Sequence, residues 1–242
     1  MRRVYATTFA LVTALSIVSM QAAQQAGAAA PQADASRKVA GGGITAAGWK
    51  GKVDAAEAAK GATINDSKFA QQGGELRINN GPAAIYWNPS NTASGSYTVS
   101  ATFTEPKYMS SNDHPHPYGV FIAGNDMGTD KQSYLYCTAY GDGRFIVRGF
   151  NGDSTFQLNG RGEPNAAIHK ASGVGAPVTQ EIALSVKGDK VECAINGQTV
   201  GSYDKSAVVG ANRLTSTDGV YGIRFGHNTE AVVKGLSVVK SD

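Results

Sequence analysis

Polar and apolar residues alternate with a period of two through much of the chain. In the clearest run, Tyr97, Val99, Ala101 and Phe103 interleave with Thr98, Ser100, Thr102 and Thr104, which gives a strand one core face and one hydroxyl-lined face. The 30 glycines recur in turn-forming pairs between such short runs. Many strands joined by tight turns follow, so the class is all-β, an antiparallel two-sheet sandwich. One segment breaks the pattern: Asp54-Ala55-Ala56-Glu57 predicts a helix of one or two turns, with Asp54 as N-cap, Glu57 closing a capping box and Gly61 ending it.

Two hairpins carry most of the inference. Between Glu181 and Val200, a Gly188-Asp189 turn sets Val186 opposite Val191, Leu184 opposite Cys193 and Ile182 opposite Ile195 on one buried face, with Ser185, Lys187, Lys190 and Glu192 on the other. Between Tyr134 and Phe150, a three-residue Gly141-Asp142-Gly143 loop pairs Ala139 with Phe145 and Cys137 with Val147. A two-residue turn would instead drive Arg148 into the core, and the cost of burying an unpaired charge selects the three-residue register.

That register throws Tyr134, Tyr136, Thr138, Tyr140, Arg144 and Arg148 together on the face away from the core. Tyrosine rings stack on sugar faces, while their hydroxyls, with Arg and Thr, bond sugar oxygens. The face is therefore a candidate ligand surface; the alternative is a strand face with the Tyr and Thr content that strands favour anyway. The loop Asp113-His114-Pro115-His116-Pro117 precedes the strand Tyr118 to Gly124 and would stand at its rim. His114 and His116, two apart in an extended segment, can point the same way and could share a metal or serve a bound ligand, the alternative being a proline-stiffened loop with exposed histidines. No third ligand has characteristic spacing, so no metal site is predicted, and His169 and His227 read as loop residues.

Charge and the chain ends narrow the setting. Met1-Arg2-Arg3 followed by the apolar run Val4 to Met20 reads as a signal peptide over residues 1–30, with small-residue cleavage choices at Ala26-Gly27-Ala28 or Ala28-Ala29-Ala30. Residues 31–48, poor in large apolar side chains, read as a flexible leader, and 49–242 as one sandwich domain. The formal charge of +3 falls to +1 once Arg2 and Arg3 leave. With no basic block, nucleic acid and membrane insertion are excluded as expectations, and a neutral oligosaccharide or polysaccharide bound by a secreted or periplasmic monomer fits better.

Cys137 and Cys193 both fall on core faces of an exported chain, so a single disulfide is expected, the alternative being two buried thiols. No cofactor is implied. Asp126 and Asp130 lie in a Gly/Asn/Asp loop that suits either calcium or turn formation. No strand presents paired carboxylates at alternating positions of the kind glycoside hydrolysis needs.

Trp49-Lys50-Gly51, Tyr118-Gly119-Val120-Phe121-Ile122, the hairpin ending in Ile195-Asn196-Gly197-Gln198-Thr199-Val200, and Gly219-Val220-Tyr221-Gly222-Ile223-Arg224-Phe225 with the closing Leu236-Ser237-Val238 together resemble the concanavalin-type jelly rolls. Within these, the order of elements resembles the 3-keto-disaccharide hydrolase-like family of exported bacterial domains and, more distantly, the laminin-G-like domains. The resemblance implies a jelly-roll sandwich that binds or processes carbohydrate, with hydrolysis of glycosidic bonds as the activity if it is an enzyme. Family members often carry arginine near the end of the strand corresponding to Tyr118–Gly124, where this chain has Ala123, and the glutamate-rich strand motif of laminarinase-like enzymes is missing, so no catalytic residue is carried over. The competing expectation is a non-catalytic adhesion or protein-binding module of the cell envelope, since jelly rolls host enzymes, lectins and scaffolds alike.

Overall fold

The computed structural model describes Met1 and residues 35–241; the rest of the expected signal segment lies outside the described residues. Strands are numbered in chain order. One sheet runs β1 (Gly43–Ile44), β3 (Lys68–Gln72), β4 (Glu75–Asn79), β16 (Glu230–Lys240), β6 (Tyr97–Glu105), β12 (Val178–Lys187), β13 (Lys190–Ile195) and β14 (Gln198–Asp204) from edge to edge. The other runs β10 (Ser154–Gln157), β9 (Arg144–Asn151), β8 (Ser133–Ala139), β7 (Tyr118–Asn125), β15 (Gly219–Phe225), β5 (Ala84–Ala93) and β2 (Lys50–Val53), with β11 (Glu163–Pro164) beside β9. All pairings are antiparallel except that of β1 with β3. This is the two-sheet sandwich that the alternation implies, with the jelly-roll arrangement that the resemblance implies.

Both hairpins take the expected registers. Val186 faces Val191, Leu184 faces Cys193 and Ile182 faces Ile195, while Ala139 faces Phe145 and Cys137 faces Val147. Gly143 closes the second loop at φ +93°, a left-handed conformation that favours glycine, and its amide donates to the Tyr140 carbonyl. On β6, Tyr97, Val99, Ala101 and Phe103 are buried between the sheets together with Leu135, Cys137, Val147, Leu184 and Cys193. A Cys137–Cys193 disulfide ties β8 to β13 across the core, with 6.0 Å between Cα atoms.

Two expectations need correction. The domain does not wait until Trp49: from the stretch read as leader, the Val39 amide bonds the Asp66 carbonyl, the Arg37 guanidinium bonds Asn79, and Gly43–Ile44 pairs with β3. Backbone pairing and the Arg37 side chain hold this stretch, together with Ala46 in the core and Ile44 packed against it, too few apolar side chains to stand out in the sequence. The short helix α1 (Ala55–Ala58) forms, and Gly61 follows it at φ +85°, but Asp54 makes no side-chain cap. Its carboxylate accepts from Nη1 and Nη2 of Arg224 at 2.6 and 2.5 Å, a charge-assisted, two-pronged pairing that outcompetes a single neutral amide. Glu57 likewise turns away from the helix and accepts a hydrogen bond from Ser36 Oγ at 2.7 Å.

Candidate functional site

The outer face of the β8–β9 sheet is not an open surface. Ile85, Trp87, Phe121, Tyr134, Tyr136 and Ile146 form a second apolar cluster there, with Phe150 and Tyr140 packed against it. Tyr134 stacks on Phe150 with ring centroids 5.0 Å apart and is fully buried. Thr138 is also fully buried. Both therefore support the floor and do not present polar groups to a ligand, because alternation specifies a face and says nothing of what covers it. Tyr136 keeps 4 % exposure, which leaves Tyr140 as the half-exposed ring of the set.

Next to this cluster opens a cleft of about 360 Å³. Its lining brings together Tyr136, Tyr140, Arg144, Arg148, His114 and His116, six of the residues that the sequence singles out. It adds Arg161, Arg224 and His227, which sequence reasoning missed. Arg224 lies on β15, 74 residues beyond the end of the Tyr-rich hairpin at Phe150; in sequence it stands in an apolar strand, and an arginine among residues headed for burial was the available signal.

The arginines are held in different ways. Arg224 is nearly buried, with its guanidinium 5.6 Å from the Tyr136 ring centroid and 5.8 Å from that of Phe150. Burial works against its charge, but the Asp54 carboxylate overcomes that and raises its pKa, so it stays ionised. Arg144 lies 4.8 Å from the Tyr140 ring centroid and donates from Nε to Asp142 Oδ2 at 2.7 Å, which raises its pKa too. Arg148 donates Nη2 to the neutral Gln157 Oε1 at 2.9 Å, and its buried Nε has no hydrogen-bond partner. Among the described residues the lining holds four arginines and no carboxylate. A chain with little net charge thus gathers four arginines in one cleft, two of them paired with the carboxylates of Asp54 and Asp142.

At one end of the cleft, His114 and His116 meet His227, with ring centroids 4.3 Å apart for His114–His116 and 3.9 Å for His116–His227. His227 is a loop residue, as its sequence suggests, in the turn after β15; that turn bonds the His114–Pro117 loop through the Gly226 amide and the Pro117 carbonyl, a neighbourhood that no sequence spacing announces. Burial first, then the neighbouring His227 and His114, push the His116 imidazole down to about 3, so it is neutral at physiological pH. The Asp126–Asp130 loop lies elsewhere. Asp126 closes a turn through its carbonyl to Thr129, and the Lys52 ammonium binds the Thr129 carbonyl and the Asp130 carboxylate, the same kind of oxygen atoms that calcium would need. A roomier hollow of about 570 Å³ beside Asp54, Ala55 and Phe150 borders that loop, and two of its charged groups, Lys52 and Asp130, are paired with each other.

No protein-family model matches the chain, and no curated protein matches it. Solved structures do. The chain is similar to the carbohydrate-binding module CBM66 from Bacillus subtilis at 9 % identity, covering 82 % of this chain and 99 % of that one, with a TM-score of 0.51. It is also similar to a Bacillus subtilis protein of unknown function with a galectin-like fold, at 13 % identity over 79 % of this chain and 89 % of that one, with a TM-score of 0.53. At such identities the likeness establishes the jelly-roll fold. Among the described residues no helix is long and apolar enough to cross a membrane.

Proposed function

We propose that the protein binds carbohydrate in the arginine-lined cleft, and that the preferred sugars carry an acidic group. The observation that carries this reading is the lining itself: Arg144, Arg148, Arg161 and Arg224 beside the half-exposed Tyr140, with no carboxylate among them. An arginine fork pairs with a carboxylate or sulfate in two-pronged fashion, and the tyrosine ring offers a platform to the apolar face of the same sugar. Sharing a fold with a carbohydrate-binding module supports the reading, as does the disulfide, which fits an oxidising compartment and hence export. Binding is favoured over glycosidic hydrolysis because most glycoside hydrolases use two carboxyl groups flanking the scissile bond, and the described lining supplies neither.

The test is binding of full-length protein, in the presence of a chelator, to matched neutral, uronate-bearing, sialylated and sulfated oligosaccharides. Acidic sugars should bind and lose affinity with rising salt. The double substitution Arg144→Ala with Arg148→Ala should weaken binding by about 10- to 100-fold per arginine removed. Equal binding of neutral sugars, or an unaffected double variant, would sink this assignment.

A further inference from the structure

The three histidines at the end of the cleft form a constellation that sugar binding does not use. One ring nitrogen from each of His114, His116 and His227 lies within 4.8 Å of those of the other two. They come from two segments that the fold joins, the loop before β7 and the turn after β15.

Their surroundings are those of metal ligands. Metal-bound imidazoles are usually held through their second nitrogen by a carboxylate, a backbone carbonyl or a water, which fixes the ring and raises its basicity. Nδ1 of His114 is paired with the Asp113 carboxylate. Nδ1 of His227 lies 3.2 Å from Ser36 Oγ, which donates to Glu57, and 3.9 Å from Glu57 itself. Nε2 of His116 is buried without a hydrogen-bond partner, a costly arrangement for a polar atom that a bound ligand would relieve. Glu57 and Asp113, which otherwise look like a misplaced capping residue and a loop acid, thereby acquire a common purpose.

From this geometry we propose that His114, His116 and His227 hold a borderline divalent ion of the zinc class, leaving a coordination position toward the arginine-lined cleft. Three imidazoles suit zinc, copper or nickel and not calcium or magnesium, which take oxygen ligands. Zinc–nitrogen bonds of about 2.0–2.1 Å with tetrahedral angles place the nitrogens roughly 3.4 Å apart, so small side-chain rotations close the site. Because all three histidines border the cleft, an ion there would offer a Lewis-acidic position to a sugar hydroxyl or carboxylate whose remaining groups meet the arginines. The site stands independently of the sugar assignment, since it rests on residues which that assignment does not need.

The experiment is a calorimetric titration of chelator-treated full-length protein, made without a polyhistidine tag and with no saccharide present, with Zn²⁺ alone. The expected result is one ion bound per chain, with affinity lowered at least tenfold in each of His114→Gln, His116→Gln and His227→Gln, and a smaller loss in Asp113→Asn. His114 is exposed, so His114→Gln remains a fair test if a substitution at the more buried His116 impairs folding. Co²⁺ in place of Zn²⁺ should give an intense visible absorption that disappears in His227→Gln. Absence of stoichiometric binding, or variants that bind like the parent, would overturn the metal site. Because the saccharide assay is run with chelator, sugar binding can survive that outcome, and the metal site can survive a failure of sugar binding.

Discussion

The outer faces of the two sheets obey the same period-two rule and end up as different surfaces. On the sheet containing β6 and β12, outward positions hold short hydroxyls and charges that satisfy one another across strands. Thr98 bonds Ser185 at 2.8 Å, Thr104 bonds Thr179 at 2.9 Å, and Lys187 pairs with Glu192 at 2.8 Å. On the sheet containing β8 and β9, outward positions hold tyrosines, Ile146 and arginines, too apolar and too long to lie open to water. They are covered by a second cluster and by loops, and the cleft is what the cover leaves open. Strand alternation therefore decides which residues share a face, whereas the chemistry at those positions decides whether the face stays a surface or becomes a site.

Substitutions should separate the two faces sharply. The largest effect is expected at the ion pair under the cleft. Asp54→Ala would strand the buried Arg224 guanidinium and cost about 3–5 kcal/mol in urea unfolding; a loss below about 1 kcal/mol would mean that Arg224 finds another partner and that this face is less tightly built than the geometry indicates.

A pH effect comes next, from the one carboxylate that β6 turns inward. Glu105 is buried, and burial pushes it up to about 7 against an ordinary 4.5. The unfolded chain releases this proton near pH 4.5 and the folded chain holds it until about 7, so its contribution to stability is intact below pH 4.5 and is lost as pH rises to 7, then stays flat. The loss amounts to about 3 kcal/mol. Glu105→Gln should remove that slope and exceed the parent in stability at pH 8; parallel pH–stability curves for the two proteins would show that Glu105 is ionised in the fold. The smallest effect belongs to the solvated face, where Lys187→Ala should change stability by less than about 0.5 kcal/mol despite a well-formed pair.

What could be foreseen from sequence divides along the same line. Local alternation and turn length were enough to set both hairpin registers, in the β8–β9 pair because one wrong step would have put Arg148 in the core. The same reasoning brought six side chains of the cleft onto one sheet face or its rim. It could not foresee that Tyr134 would be fully covered, since besides Phe150 on its own hairpin the cluster draws Ile85, Trp87 and Phe121 from other strands. Asp54 carried a good helix-capping pattern, yet a guanidinium 170 residues away claimed its carboxylate. His227 stands 111 positions beyond His116 and gained its neighbours only when β15 docked against β7. Such pairings are decided by topology, and pattern reading does not reach them.

The long sequence distances have a consequence for timing. Arg224 joins Asp54 across 170 residues and His227 joins Ser36 across 191, so the cleft has no walls until nearly the whole chain has emerged and its penultimate strand has found its place. Contacts of such span form late and slowly in folding. A nascent chain would carry the tyrosines and the first histidines but no cleft, which closes only when β15 and the turn after it are in place.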